Sequence, residues 1–360
     1  MNPTIFDWAV VGAGPAGIAA VGRLIDLGVT PQSILWIDPV FNVGDFGGLW
    51  SNVSSNTTVQ LFQNFLHASS TFNYANAPID FAINHLPLDK TCTLNAIVES
   101  LQWISNEMCK KVHAVSGIAH QLARAKDHWA IDLTLTRFKA HKVILATGAT
   151  PLVLDHKTPS IPFDIAIDKQ RLECIFNPQE TYAVFGSSHS AIMIIRHLVE
   201  LGSKRIINLY RSPCQYAMNM GDWIKFDNTG LKGDTACWAR ENIDGKHPSN
   251  LNRLLISECN LPNILKSCDK IIYAIGFERR DSTDVLGEQL DQYNQNTGII
   301  AHGLFGLGIA YPELKSDPEG RYELQVGLWK FMLYLNQVLP LWLNQPLSFN
   351  KDQYDKADSF

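Results

Sequence analysis

The seven cysteines of this chain, at positions 92, 109, 174, 214, 237, 259 and 268, form no CxxC pair. Their spacing suits neither a zinc knuckle nor a disulfide scaffold, so a reducing, cytoplasmic setting is the simplest expectation. No basic-then-apolar leader is visible, since an apolar strand starts by Phe6. Charge is scarce, at 18% of residues against 46% hydrophobic, which argues for a large core and against global disorder. The balance of 30 basic and 35 acidic residues, formally -5, speaks against nucleic acid as the main partner. No long apolar run is unbroken. The best candidate, Leu324 to Leu343, is interrupted by Lys330, Asn336 and Pro340, and reads as a buried or partly exposed helix rather than a membrane span, with peripheral membrane contact left open. HExxH is absent and no histidine pairs with cysteines at a metal spacing, so no metal site is expected. GxSxG is absent as well, although Ser187 and Ser188 follow a strand, and hydrolysis is a poor reading.

What the chain does contain is two glycine-bearing turns, each opened by an apolar run and followed by a helical stretch. The first is WAVVGAGPAGIAAVGRLIDLG, with Gly12, Gly14, Pro15, Ala16 and Gly17 in the turn. Asp7 to Val11 reads as a buried parallel strand, Gly17 to Leu27 as the helix packed on it, and Ile34 to Ile37 as a second strand ending in Asp38. Asp38 lies about twenty residues beyond Gly17, the separation at which an acid meets an adenosine ribose. Gly12 permits the tight turn, Gly14 removes the side chain beneath a pyrophosphate, and Gly17 lets helix and strand approach. The amides exposed at the helix start then face the phosphate charge.

The second turn, TYAVFGSSHSAIMIIRHLVELG, places Gly186, Ser187, Ser188, His189, Ser190 and Ala191 in the same role, with Ser188 and Ala191 replacing the strict glycines. Thr181 to Phe185 is its strand, Ser190 to Leu201 its helix, and Arg205 to Tyr210 the next strand. Arg211 stands where an acid would discourage a 2'-phosphate, so its charge favours NADPH over NADH, with a solvated arginine of no consequence as the alternative. His189 has two readings, contact with the NADPH phosphate or ribose and a plain polar turn residue. His67 reads as a local structural or surface histidine. Two dinucleotides in one chain point to electron transfer between them, hence to a flavin enzyme rather than a simple dehydrogenase.

Between these units, Phe41 to Trp50 (FNVGDFGGLW) is too rich in glycine for a regular helix, while Val59 to Tyr74 and Leu94 to Met108 read as helical or mixed. Lys111 to Val115, Ile118 to Ala125 and Trp129 to Leu135 have the length and alternation of a small antiparallel meander. Lys142 to Ala149 is a buried strand running into a glycine turn, and Lys270 to Phe277 repeats that pattern. Cys214 to Ser249 shows no sustained period and reads as a loop-rich insertion near the ligand crevice or a surface excursion. The aromatics Trp50, Phe62, Phe65, Phe72 and Tyr74 read first as core and interdomain packing, and second as walls of an apolar channel.

In order, GAGPAG (Gly12 to Gly17), Asp38, GGLW (Gly47, Gly48, Leu49, Trp50), LATGA (Leu145, Ala146, Thr147, Gly148, Ala149), GSSHSA (Gly186 to Ala191) and AIGF (Ala274 to Phe277, with Gly276) span nearly the whole chain. That succession resembles the flavin-dependent monooxygenases and, more distantly, the two-dinucleotide-domain flavoprotein reductases. The resemblance implies an α/β fold of two Rossmann-like dinucleotide-binding domains. FAD would be held by residues 1–158 and 277–360, and NADPH by an inserted domain, 159–276. It further implies that GGLW lines the flavin, that Ala146, Thr147, Gly148, Gly276 and Gly308 border the cofactors, and that Asn64 of QLFQNF is the catalytic asparagine near the flavin ring, an ordinary helix-surface role being the alternative. The implied partners are a small nucleophilic or carbonyl substrate and O2. Three departures stand against this: FxGxxxH followed by an aromatic is missing, FGLGIA lacks the late aspartate, and the redox cysteine pair of the disulfide reductases is absent. A flavoprotein reductase or oxidase, and a flavin-binding regulatory protein without turnover, are therefore the competing readings.

Overall fold

The computed structural model describes residues 5–347. The first unit opens with β1 (Ile5–Val11), α1 (Pro15–Asp26) and β2 (Ile34–Asp38). β1 and β2 run parallel, Trp8 beside Ile34 through Val11 beside Ile37. Small residues give α1 a close approach to its surroundings: a Cβ on Gly22 would stand 2.4 Å from the Phe72 ring. Pro15, whose missing N–H costs nothing at a helix start, sets the first turn. Gly28, at φ +90°, follows the last turn in the left-handed conformation that favours glycine.

The chain then makes a single turn of helix, α2 (Asp45–Gly48), where the glycine content argued against one. The absence of side chains is what allows it, because a Cβ on Gly47 would meet Asn42 O at 2.0 Å. α3 (Val59–Leu66) ends earlier than the expected Tyr74, giving way to short 3-10 turns at Ser70–Phe72 and Tyr74–Asn76. α4 (Asn95–Cys109) leads into β3 (His113–Ser116), which pairs parallel with β2 and so belongs to the Rossmann sheet rather than to the meander. Alternation had fixed that it was a strand but not its neighbour.

The antiparallel excursion consists instead of β4 (Gln121–Arg124), β5 (Trp129–Asp132) and β6 (Arg137–Leu145). β6 serves both halves of the sheet: residues 137–140 pair with β5, and Ile5 to Val11 lie beside Lys139 to Leu145 in parallel register. Next, β7 (Ala149–Pro151) leaves the first unit, and α5 (Phe163–Ala166) and α6 (Lys169–Glu173) open the second.

The second unit is a four-stranded parallel sheet. Its elements are β8 (Thr181–Phe185), α7 (His189–Glu200), β9 (Arg205–Tyr210), α8 (Gly233–Ala239), β10 (Leu251–Leu255), α9 (Leu261–Lys266) and β11 (Lys270–Tyr273). The strand order is β10, β9, β8, β11. The stretch expected to be loop-rich thus holds α8, followed at once by a π-helical turn, Arg240–Gly245. A turn of that kind spoils the helical period on which sequence reading relies.

β12 (Phe277–Arg279) returns to the first unit antiparallel to β7, with Phe277 opposite Pro151. β13 (Asp284–Leu286) adds to β4, and β14 (Ile299–Ala301) and β15 (Leu304–Gly306) extend the sheet beside β6. A hairpin, β16 (Glu313–Ser316) and β17 (Tyr322–Gln325), precedes α10 (Leu328–Asn344). α10 contains Pro340 and packs on α1 and α3. Phe331, Leu335, Leu339 and Trp342 of α10 are buried, as expected of a core helix, and none of the described helices is long and apolar enough to cross a membrane. Lys142 of β6 caps α10, its Nζ donating to Trp342 O and Leu343 O at 2.8 Å each.

A second tie joins the units away from β7 and β12. Asp227 pairs with Lys330 of α10 and with Lys232, at 2.5 Å each. Thr229 Oγ1 donates to Glu323 at 2.6 Å, Lys225 meets Glu319 at 2.9 Å, and Arg321 lies over the Phe226 ring at 4.4 Å.

Candidate functional site: two glycine turns and the seam between them

Gly12 ends β1 at φ +109°, and a Cβ there would lie 2.3 Å from Ala146 O. Its N–H donates to Ile37 O at 2.7 Å, and its carbonyl accepts from Trp36 Nε1 at 2.9 Å. A Cβ on Gly17 would be 1.9 Å from Gly12 O, which is why helix and strand need glycine there. Gly14 is the N-cap of α1, carries no capping side chain, and is followed by no acid in the first turn. The first amides of α1 are left for an external acceptor, and a Cβ on Gly14 would touch only Val43 O, at 3.9 Å.

Asp38 is 7% exposed. Its Oδ2 accepts from Ala13 N at 2.7 Å, and its Oδ1 from Val40 N and Phe41 N at 2.9 and 2.7 Å. Two lone pairs per oxygen leave one acceptor position, on Oδ2, for a ribose hydroxyl. Gly308, at φ +89°, closes over the start of α1, since a Cβ on it would stand 2.7 Å from the Cβ of Ala16.

The second turn repeats the first. Gly186 has φ +119°, and a Cβ on it would be 2.2 Å from Ala274 O. Its N–H donates to Leu209 O at 2.9 Å, and its carbonyl accepts from Asn208 Nδ2 at 2.8 Å. Ser188 is the N-cap of α7 without a capping bond, and Ser187 Oγ donates to Ser212 O at 2.7 Å. Ser190 lies within the first turn of α7, Ala191 is fully buried, and Arg211 is exposed directly after β9.

His189, the first residue of α7, turns towards α8, its Nε2 standing 3.5 Å from Thr235 Oγ1. Burial, reinforced by the Lys232 ammonium, pushes its pKa down to about 4, and its buried Nδ1 has no partner. A neutral imidazole brings no charge to a phosphate, so any contact it makes there is a neutral hydrogen bond.

Between the turns runs a seam. Trp50 of GGLW lies 5.5 Å from Phe163 and 5.3 Å from Phe277, ring centre to ring centre, which joins the GGLW and AIGF segments. Its Nε1 is buried without a partner, a state that costs about 1–3 kcal/mol unless a bound group accepts from it. Gly47 packs over Asn42, whereas Gly48 and Leu49 face solvent. Ala146 N donates to Val11 O at 2.8 Å, and Thr147 and Gly148 (φ +75°) follow at the seam. There Asp45 and Arg280 pair at 2.7 Å, and Arg280 N donates to Gly148 O at 3.1 Å. Gly276, at φ +108°, lies 3.9 Å, measured from its would-be Cβ, from Leu152. The uncapped helix starts, the glycine floors and the unmet Trp50 donor fit two dinucleotides.

No protein-family model matches the chain. It is 31% identical over 385 residues to monooxygenase AgnR1 of Paecilomyces divaricatus, covering 93% of this chain and 97% of that one. The chain belongs to the monooxygenase branch of the two-dinucleotide-domain flavoproteins. Among solved structures, this flavoprotein monooxygenase shares its fold with a flavin-containing monooxygenase from Stenotrophomonas maltophilia (12% identity, 94% of this chain and 98% of that one, TM-score 0.62). It is likewise similar in fold to a bacillithiol disulfide reductase from Staphylococcus aureus (11% identity, 94% and 98%, TM-score 0.62) and to an ornithine N-hydroxylase from Kutzneria sp. 744 (13%, 91% and 90%, TM-score 0.56).

In this flavoprotein monooxygenase, Gly12 to Gly17, Asp38, Ala146 and Gly308 gather around one turn, and Gly186 to Ala191 with Arg211 around the other. Asn64 stands apart from these contacts: it lies on α3, and its Oδ1 accepts from Gln60 one turn earlier, at 2.9 Å. Phe62, Phe65 and Phe72 are core residues, only Trp50 reaching the seam, and His67 is an exposed residue edge-on to Tyr74. The carbonyl clamps Trp36 and Asn208, and the Asp45–Arg280 pair, belong to the site without having announced themselves by motif. The sign for Asn208 is a polar residue among the buried apolar positions Ile206, Ile207 and Leu209 of the RIINLY strand.

Proposed function

We propose that the protein is an FAD-dependent oxidoreductase, reduced by NADPH, which oxygenates a small nucleophilic or carbonyl substrate with O2. The observation that carries this reading is the repetition of one build, positive-φ glycine, clamped carbonyl and uncapped helix, on parallel strands of two sheets whose units meet at the Trp50, Phe163 and Phe277 seam. On this reading residues 1–158 and 277–360 hold FAD and 159–276 hold NADPH. A bound flavin would supply the hydride-accepting and oxygen-reducing chemistry, with a bound nicotinamide as its donor. The chain's own groups bind and orient. The amides of α1 and α7 meet the pyrophosphates, Asp38 offers its remaining acceptor to the FAD ribose, and Arg211 draws the NADPH 2'-phosphate. Trp50 and Leu49 border the flavin ring, with Asn64 as the catalytic donor.

A dithiol relay finds no support in the cysteine spacing, which contains no CxxC pair; the same cysteine usage suits a reducing cytoplasm. The test is anaerobic mixing of FAD-loaded protein with NADPH, then with oxygen and candidate substrates. Flavin bleaching and an oxygenated product are expected. Bleaching with stoichiometric peroxide and no product makes it an oxidase, and an unbleached flavin removes NADPH as the donor.

A further inference from the structure

We infer that Arg253 is a specificity residue for the nicotinamide dinucleotide, binding a phosphate monoester on its ribose together with Arg211. The inference rests on the NADPH reading and deepens it. Arg253 lies on β10 directly beside Asn208 of β9. Its Nε donates to Asn208 Oδ1 at 2.9 Å, its Nη2 stands 3.8 Å from Cys214 Sγ, and its Cζ lies 4.4 Å from the centre of the Tyr210 ring. Tyr210 and Cys214 are the two feet of the loop 211–213, so the guanidinium underlies the segment that carries Arg211. From the opposite side, Ser187 of the glycine turn holds Ser212 O of the same loop. The cation therefore sits where the second strand of a Rossmann unit ends and the dinucleotide ribose is met.

Each of these contacts is neutral: an amide, an aromatic ring, and a thiol whose pKa burial pushes above its usual value. A guanidinium keeps its charge throughout the physiological range and has five N–H donors, of which the contacts with Asn208 and Cys214 engage two. A half-buried fork with donors to spare and no negative neighbour among those contacts is matched by a dianionic phosphate, which accepts bidentate bonds; a ribose hydroxyl offers neither charge nor a second oxygen. Arg253 has a second task as well, because the Asn208 it holds is the residue that clamps Gly186 O.

The experiment separates recognition from positioning. Full-length protein as purified is titrated calorimetrically with adenosine 2',5'-bisphosphate and with 5'-AMP, for wild type, Arg253→Met, Arg253→Lys and Asn208→Leu. Arg253→Met is expected to weaken the bisphosphate by roughly 10- to 100-fold and 5'-AMP much less, the loss of a charge-assisted phosphate contact. Arg253→Lys keeps part of the preference, and Asn208→Leu weakens both ligands by a common factor, leaving their ratio intact. Equal weakening of both ligands by Arg253→Met, with the ratio kept, overturns the inference and reduces Arg253 to a support for Asn208. A wild type that prefers 5'-AMP, or binds both alike, overturns the NADPH reading itself.

Discussion

Trp36 and Asn208 occupy the same position in the two nucleotide units. Each stands on the second strand beside a valine of the first, Trp36 beside Val10 and Asn208 beside Val184, and each donates to the carbonyl of the glycine two residues after that valine. An indole and a carboxamide thus do one job on two frames. Both are fully buried, so the N–H has no water to fall back on. Replacing either by an isosteric hydrocarbon leaves a glycine carbonyl unmet at the point where the chain must turn. Asn208→Leu is expected to cost about 1–3 kcal/mol in urea unfolding and to weaken pyridine nucleotide binding with flavin retention unchanged; Trp36→Phe should reverse that selectivity.

The two turns differ in how tightly helix and strand meet. Alanine at Gly17 would drive its Cβ to 1.9 Å from Gly12 O, whereas the equivalent position of the second unit already carries Ala191. Gly17→Ala should cost about 1–3 kcal/mol through forced separation and release flavin on gel filtration. Ala191→Gly should cost about 1–2 kcal/mol, the helix-propensity difference plus the loss of one buried methyl, with nucleotide affinity nearly unchanged.

His189 gives the fold an acid limit. Its folded pKa of about 4 lies below the ordinary 6.5, so between those values the unfolded chain binds a proton that the folded one refuses. Stability is therefore complete above pH 6.5 and falls as the pH drops towards 4, by about 3 kcal/mol at most from this group. Urea midpoints measured across that range should slope upward with pH, and His189→Gln should flatten the slope.

The Asp227 tie should answer to acid at a lower pH. Burial works against the charged carboxyl, but Lys330 and Lys232 together outweigh it and hold the pKa below the ordinary 3.8. A depressed carboxyl pKa contributes stability above the unfolded value and loses it as the pH falls through the folded one. Asp227→Asn removes the charge partner of both ammonium groups, leaving Lys330 its bond to Asn228 Oδ1 at 2.7 Å, and should cost roughly 2 kcal/mol, moderated by partial exposure. Hydrogen exchange should quicken across residues 218–232 in the variant, and in the wild type below about pH 4.

The glycine turns were legible because geometry leaves no other choice at Gly12 and Gly186: positive φ and a carbonyl oxygen within 2.3 and 2.2 Å of any Cβ. The class of fold followed from strand, turn and helix repeating, and α10 from the polar breaks in its apolar run. Less could be read where partners are distant. The four residues of β3 announce a strand, but β2 as its neighbour depends on the path of α4. Asp38 was visible as the acid that ends β2, yet its three backbone donors depend on the glycine turn at Ala13 and on how the chain curls at Val40 and Phe41. Arg253 and Arg280 lie far from any motif and gain their meaning from what folds against them.

The pairing of Pro151 with Phe277 has a topological consequence. Seen from the first unit, the whole second unit is the loop of one very long β-hairpin, entering by β7 and leaving by β12 at paired strand positions. The entropy of closing a loop grows only with the logarithm of its length, so a complete domain can be spliced there at little more cost than an extended surface turn. The parent sheet keeps its register whatever the loop contains.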